Sequence, residues 1–440
     1  MSECSSIKQP LHWALSLLVL VFSLVAPTHA QTPTPAPDSH GATHSAPAKL
    51  DVFADFPKPP ANLPFKPLDN AWPARWGVNG DIKGVIIDMD PLEPVLGLRT
   101  TLLLSANGTP DAKALAQAAP PATPMPENFI YEGDGCFRYI ADPKTDPPRR
   151  RETAPAMSFR FVSGERESNP KTAQPAVRLQ RTWFNVFDPI QDKPKPRGVA
   201  LLMPGLFGTP EGTLAQLTGV LRKNGWVVVR MLSQPSRFTE RVQFELSAGG
   251  DLEAQARHIA QVFDDRSAEC AYAAQAALAH VEDKRPELKN LPRIAVGFSG
   301  GAMTIPTVVG REPGRYTAAV MVGGGADFWL MNERSNYKTI IDAVREKWEG
   351  PPPTAKDHAR LDDFYLRNAA LDSYNTAQSM KGVRVLMIQG AADMAVPAPL
   401  GDLLWLRIGK PDRWIEDNAG HESIFMTLPH RFDKIMDWLQ

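Results

Sequence analysis

Apolar positions fall into two regimes along the chain. From about Arg178 onward, short apolar runs that suit buried strands alternate with longer stretches whose apolar residues recur at helical spacing. Residues 178–187, 198–203 and 226–231 read as strands. Between the last two, Leu214, Leu217 and Leu221 fall on one helical face, and Asn224-Gly225 closes that helix. An alanine-rich helix is expected over 252–281, then a strand ending at Phe298, a helix directly after it, and a strand over 317–322. Residues 383–389 form a nearly unbroken apolar strand, 413–416 a short one, and 432–439 a closing helix. This alternation predicts an α/β fold. Its sheet is doubly wound and mostly parallel, with helices on both faces and chemistry at the carboxyl ends of the strands.

Upstream of Arg178 the pattern changes. Residues 85–87, 96–104, 129–140 and 157–162 are short apolar or alternating runs broken by Gly, Pro, Asn and Asp, which predicts a β-rich N-terminal extension over 71–176. Residues 31–70 are rich in Pro, Ala, Thr and His and poor in large apolar side chains, the composition of a flexible tether. His40 and His44 within it are read as solvated. Ahead of the tether an uncharged, mostly apolar run, 13–26, follows Lys8 and precedes Thr28-His29-Ala30. That is the layout of a signal peptide over 1–30, cleaved near Ala30. The run is shorter than the about 20 residues that span a bilayer. The mature chain is therefore expected to be secreted or periplasmic, without an integral membrane segment.

Composition adds limits rather than a function. The chain has 440 residues, 43% of them hydrophobic, enough for one large domain with an extension. A formal net charge of -1 gives no electrostatic case for a nucleic-acid partner or an anionic membrane. Loss of the signal removes Cys4 and leaves Cys136 and Cys270; a disulfide and two buried thiols both fit that pair. Asn107-Gly108-Thr109 fits a glycosylation acceptor in a host that glycosylates exported proteins. Oligomeric state is not legible.

The chemistry is concentrated at strand ends. Gly297-Phe298-Ser299-Gly300-Gly301 lies between an apolar strand and a helix start, the layout that lifts a serine hydroxyl clear of a sheet on a strained turn. A serine hydroxyl needs a base, and the base needs an acid to fix its tautomer. His421, between the last short strand and the final helix, is the candidate base; His430 is a weaker rival. Asp393, in the turn after strand 383–389, is the candidate acid. Asp327, which follows strand 317–322 through Gly323-Gly324-Gly325, is the alternative acid; the turn at Asp393 fits the role better. Backbone N–H groups at Gly300 and at Leu206, in the loop Pro204-Gly205-Leu206-Phe207-Gly208, are the candidate donors to an oxyanion. That loop is expected to be separated from the serine strand by only one strand, 226–231.

On these residues, 178–440 resembles the α/β-hydrolase superfamily. Ser299, Asp393 and His421 match its triad in identity and order, and Leu206 with Gly300 match its oxyanion hole. Pro204-Gly205 stands where the family often has His-Gly. The resemblance implies acyl transfer at a serine: an esterase acting on small-molecule or polymeric esters, with a peptidase, an acyltransferase or a non-catalytic binding protein on the same scaffold as alternatives. It also implies a helical lid over 327–381, whose Phe328, Trp329, Tyr337, Trp348, Phe364, Tyr365 and Tyr374 either line an acyl pocket or pack the lid onto the core. His421-Glu422 lacks the second histidine of a zinc-protease motif, and Gly205 to Gly212 lacks the Lys-Ser/Thr step of a phosphate loop, so neither a metal nor a cofactor is implied.

Overall fold

The structure is a computed structural model. It describes residues 53–440 apart from 70, 74–82, 90–101, 106–128, 134–135, 140–154, 169–174, 191–194, 207–208, 233–237 and 239. The signal segment, the tether as far as residue 52 (with His40 and His44), Asn107 and the Cys136 side chain lie outside the described residues.

Ahead of the domain core come β1 (Lys83–Met89), β2 (Leu102–Ser105), β3 (Phe129–Gly133), β4 (Cys136–Tyr139), β5 (Met157–Ser168) and β6 (Pro175–Phe187). The alternating part follows with β7 (Gly198–Met203), α1 (Glu211–Lys223), β8 (Trp226–Met231), β9 (Val242–Ser247), α2 (Leu252–Lys284), β10 (Arg293–Phe298), α3 (Gly300–Arg311) and β11 (Tyr316–Val322). Next are α4 (Phe328–Arg334), α5 (Lys338–Ile341), β12 (Val344–Glu349), α6 (Ala355–Asn368) and α7 (Ser373–Thr376). The chain ends with β13 (Arg384–Gly390), α8 (Ala398–Ile408), β14 (Asp412–Glu416), α9 (His421–Thr427) and α10 (Phe432–Leu439).

One ten-stranded sheet runs in the order β1-β5-β6-β8-β7-β10-β11-β13-β14, with β2 also paired to β6. From β8 to β14 every pairing is parallel. The central strands are covered on both faces, which explains their unbroken apolar sequences. Val199, Leu201, Ala295, Ala319, Met321 and Met387 face the layer of α2 and α3. Their immediate neighbours Ala200, Leu202, Val296, Val320 and Leu386 face the layer of α1, α9 and α10. The period of two places alternate residues in opposite cores.

The upstream strands join this sheet as its antiparallel edge. Phe184–Phe187 of β6 pair with Val228–Met231 of β8, β5 pairs with β6 along its length, and β1 pairs with β5. The expected extension thus shares the hydrolase-like sheet, and β6 itself crosses residues 176 and 177. A second feature went unread. β9 and β12 form a separate two-stranded parallel sheet, so the segment 327–381 holds a strand as well as helices. It also follows that two strands, β8 and β9, lie between the Pro204 loop and the serine strand in sequence, while in the sheet β7 and β10 are direct neighbours.

The end of the proline-rich tract is no tether. Residues 53–69 form a strap held by side chains of the core. Arg407 donates from Nη1 to the carbonyls of Leu63 (2.7 Å) and Ala61 (3.3 Å). Its guanidinium lies 3.8 Å from the Phe65 ring and 4.0 Å from the Tyr374 ring. The Tyr374 hydroxyl donates to the Pro60 carbonyl and accepts from Leu63 N–H. Asn375 accepts from Lys66 N–H. The strap is thus gripped through the carbonyls of Pro60, Ala61 and Leu63 and the N–H groups of Leu63 and Lys66, by partners far along the chain that its own composition does not reveal.

The serine strand is anchored at its base by charge. Arg293 opens β10 with its side chain only 3% exposed; it donates from Nε and Nη2 to Glu282 (3.1 and 2.6 Å) and from Nη1 to Glu312 (3.0 Å). Arg315, itself 40% exposed, adds a 2.8 Å contact to Glu282.

Candidate active site

Ser299 sits between β10 and α3 with φ 49° and ψ -119°, a conformation that side chains adopt only under constraint. Its N–H donates to the Val322 carbonyl at 2.8 Å. The two glycines that flank the turn are required by packing. A β-carbon on Gly297 would lie 2.6 Å from the Gly301 carbonyl oxygen, and one on Gly301 would lie 2.4 Å from the carbonyl oxygen of Met203.

Three side chains meet there, from three different strand ends. His421, the first residue of α9, has Nε2 2.9 Å from Ser299 Oγ and Nδ1 2.7 Å from Asp393 Oδ2. The other carboxylate oxygen of Asp393 accepts from the N–H groups of Ala395 (3.0 Å) and Val396 (2.9 Å). The turn after β13 therefore aims one oxygen at the histidine by occupying the other. Phe425 and Tyr337 meet the imidazole edge-on, with centroids 4.9 and 5.8 Å away. Ser299, Asp393 and His421 are all buried, at 8%, 2% and 2% exposure. Such a chain can pass a proton from the hydroxyl to Nε2 while the carboxylate holds Nδ1–H and offsets the charge that forms. His430 is exposed, in the turn after α9.

Leu206 and Gly300 are neighbours. A β-carbon on Gly300 would lie 3.3 Å from Leu206 N, so the Pro204 loop packs directly against the residue that follows the serine. Thr209, which sequence reasoning missed, holds that loop: Gly205 N–H donates to its hydroxyl at 3.0 Å. A Thr four residues after the loop glycine is too common a pattern to have flagged it.

Asp327 is turned elsewhere. Its backbone is left-handed, with φ 66°, and its Oδ1 caps α4 by accepting from Leu330 N–H at 3.0 Å. Its carboxyl lies beside those of Asp362 and Asp372. Asp372 accepts from Asp327 N–H (3.0 Å), Phe328 N–H (2.8 Å), Tyr374 N–H (2.8 Å) and the Tyr365 hydroxyl (2.8 Å). Among the described residues no donor reaches Asp327 Oδ2 or Asp362 Oδ1, so this pair is satisfied when one carboxyl keeps its proton for the other. Burial raises both acids, and that of Asp362 is pushed up to about 7.

An acid raised on folding holds its proton in the folded chain when the unfolded chain has lost it. The stability so gained is present in full below the ordinary value of 3.8 and is lost as pH rises through about 7. Asp362→Asn mimics the protonated acid. The difference in Tm between this variant and the wild type should therefore grow in the variant's favour from pH 5 to pH 8. Parallel curves from calorimetry at matched ionic strength would contradict the shared-proton account.

A cavity of about 100 Å³ opens beside Ser299. Of the seven aromatics noted in 327–381, Phe328 and Tyr337 line it; Trp329, Tyr365 and Tyr374 are fully buried, and Trp348 packs on His358. Phe238, Phe263, Met303 and Met331 also line it and had no motif to announce them. Cys270 is buried, with Sγ 3.7 Å from Thr304 Oγ1, and burial pushes its thiol up to about 12, so it offers no thiolate. Glu333, Glu346 and His358 bring ligand-type atoms within 4.8 Å of one another, but Lys338 Nζ, 2.6 Å from Glu346, already supplies a cation there.

No family model and no curated protein matches the chain. Solved structures do. Est1E from Butyrivibrio proteoclasticus is similar at 10% identity and a TM-score of 0.37, over 59% of this chain and 94% of that one. A carboxyl esterase from Bacillus coagulans is similar at 12% identity and 0.37, over 63% and 97%. An acylaminoacyl peptidase from Pyrococcus horikoshii is similar at 11% identity and 0.41, over 71% of this chain but 45% of that one. At such values the assignment rests on the chain's own topology. A parallel sheet ordered β8-β7-β10-β11-β13-β14, with a strained serine directly after its β10 strand and helices on both faces, gives this chain the α/β-hydrolase architecture.

Proposed function

We propose that the protein is an exported serine hydrolase that cleaves carboxylic esters through an acyl-enzyme. The observation that carries this reading is the unbroken relay from Ser299 Oγ through His421 to Asp393, at 2.9 and 2.7 Å, on a serine held in a strained turn. Ser299 Oγ attacks the ester carbonyl carbon as its proton passes to His421 Nε2. The N–H groups of Gly300 and Leu206 receive the negative charge that develops on the carbonyl oxygen. The tetrahedral species then expels the alcohol, which takes the proton from Nε2. Water enters, gives a proton to the same nitrogen, attacks the acyl carbon and releases the acid, and the proton returns to Ser299. Throughout, Asp393 accepts Nδ1–H and keeps Nε2 in the basic tautomer. The segment 327–381 acts as the lid over this site. Export rests on the first 30 residues alone.

The test is labelling of protein recovered from the host's exported fraction with a fluorophosphonate, beside Ser299→Ala, with peptide mapping and intact mass. The expected result is one label on Ser299, none on the variant, and a mature chain that begins at Gln31. A folded wild type that takes no label would rule out an activated serine, and an intact residue 1–30 segment would rule out cleavage near Ala30.

A further inference from the structure

We propose that Ser335 is a positioning residue for Asp393 and acts on it through a peptide group of the acid turn. This inference rests on the hydrolase reading and adds to it how the triad acid is kept in register with its histidine.

The acid turn is gripped from two sides. On one side Asp393 Oδ1 accepts from the N–H groups of Ala395 (3.0 Å) and Val396 (2.9 Å). Each of these N–H groups shares its peptide with the carbonyl of the residue before it, Met394 or Ala395. In a trans peptide the N–H and the C=O point in opposite directions. Both carbonyls are met by consecutive residues of the segment 327–381. Asn336 N–H donates to the Met394 carbonyl at 3.0 Å, and Ser335 Oγ donates to the Ala395 carbonyl at 2.6 Å. Two short relays thus run from the turn after α4 to one carboxylate oxygen, each through a single peptide.

Ser335 is the member of this pair that a side chain controls. Its hydroxyl has one proton to give, and by accepting Tyr337 N–H at 3.0 Å it keeps that proton for Ala395. Its own N–H closes α4 on the Met331 carbonyl at 2.8 Å, which fixes the residue at the helix end. The same turn carries Tyr337, whose ring meets the imidazole of His421 edge-on.

The physical effect is on the aim of the carboxylate. A peptide whose carbonyl accepts a hydrogen bond is polarised, and its N–H donates more strongly. The two N–H groups set the rotation of the Asp393 carboxylate, and that rotation puts Oδ2 2.7 Å from His421 Nδ1. Without the Ser335 hydroxyl the Ala395 carbonyl loses this donor, the Val396 bond to Oδ1 weakens, and Oδ2 drifts from the imidazole. Ser335 also lines the cavity beside Ser299, so contact with substrate is the competing role. The two roles differ in kinetics. Substrate contact acts on KM, whereas positioning acts on kcat and vanishes when the carboxylate is gone.

The experiment measures p-nitrophenyl acetate turnover and the rate of fluorophosphonate labelling for the mature wild type, Ser335→Ala, Ser335→Thr, Asp393→Ala and the double variant Ser335→Ala/Asp393→Ala, with circular dichroism on each. Ser335→Ala should lower kcat and the labelling rate by about tenfold, the worth of one hydrogen bond. Acylation and deacylation both pass through His421, so they slow together and KM should stay within about twofold. Ser335→Thr keeps a hydroxyl and should stay within about threefold of the wild type. In the Asp393→Ala background, adding Ser335→Ala should change the labelling rate by less than about twofold. If Ser335→Ala does not fold, Ser335→Cys, a weaker donor of similar size, carries the same expectations. A folded Ser335→Ala with wild-type kcat and labelling rate, a rise in KM alone, or a loss as large in the Asp393→Ala background as in the wild type overturns the positioning role and leaves the hydrolase reading intact. A folded wild type that neither labels nor turns over the ester overturns the hydrolase reading, and this inference with it.

Discussion

Asp393→Asn should lower kcat for ester hydrolysis by about 10⁴ while Asp327→Asn changes it by less than about threefold. The two acids were both candidates in the sequence, and the structure separates them by what each already holds. Asp393 spends Oδ1 on the N–H groups of Ala395 and Val396, which leaves Oδ2 for His421 Nδ1 at 2.7 Å. An amide there can present its NH₂ to Nδ1. The imidazole would then carry its proton on Nε2, where it can no longer accept one from Ser299. Asp327 has no such link. It caps α4 through Leu330 N–H and lies among carboxylates that favour its protonated form, which Asn imitates closely. Steady-state kinetics on both variants, with circular dichroism to show that they fold, decides the matter. Comparable losses in the two variants would mean that the acid is not assigned correctly.

The second large effect is on stability. Arg293→Met should lower stability by about 3–5 kcal/mol, because it leaves buried carboxylates without their cation. Glu282 would keep only Arg315, a side chain that is 40% exposed, and Glu312 would lose its Arg293 partner. For a domain of this size that corresponds to a fall in Tm of the order of 10 °C. Arg293→Lys keeps the charge but cannot reach both carboxylates with a planar fork, so it should fall between the two. Adding Glu282→Gln and Glu312→Gln to Arg293→Met should recover part of the loss, since the cost lies in the stranded charges more than in the missing attraction. A Tm for Arg293→Met within about 2 °C of the wild type would show that solvent reaches this cluster and screens it.

How much of this was legible depends on where each signal lies. Strands such as 198–203 and 226–231 were readable to the residue, because a strand buried on both faces must be apolar throughout. β9 and β12 were not, because one face of each is polar, Gln243 and Glu245 in one and Arg345, Lys347 and Glu349 in the other, which resembles loop sequence; their pairing joins residues about a hundred positions apart. The candidate site was legible as residue types in order: Ser299, Asp393 and His421 do lie within hydrogen-bond distance of one another. Its surroundings were not. Thr209, Phe238, Phe263 and Met331 reach the site through the sheet order and the course of α2 and α4, and nothing in their local sequence marks them. The strap was misread for a related reason. Proline-rich composition reports weak internal structure, but Arg407 and Tyr374 hold this segment from outside it.

That strap has a bearing on how the molecule comes into being. Lys66 meets Asn375 across 309 positions, and Leu63 meets Arg407 across 344. The part of the strap that leaves the ribosome early can find its partners only when α7 and α8 have been made, near the end of synthesis. Contacts of such long range form late and slow the approach to the native state. The segment is thereby left without these partners for most of the chain's synthesis. Its docking therefore waits on α7 and α8, and a product cut short ahead of α8 would be left with an unclasped strap.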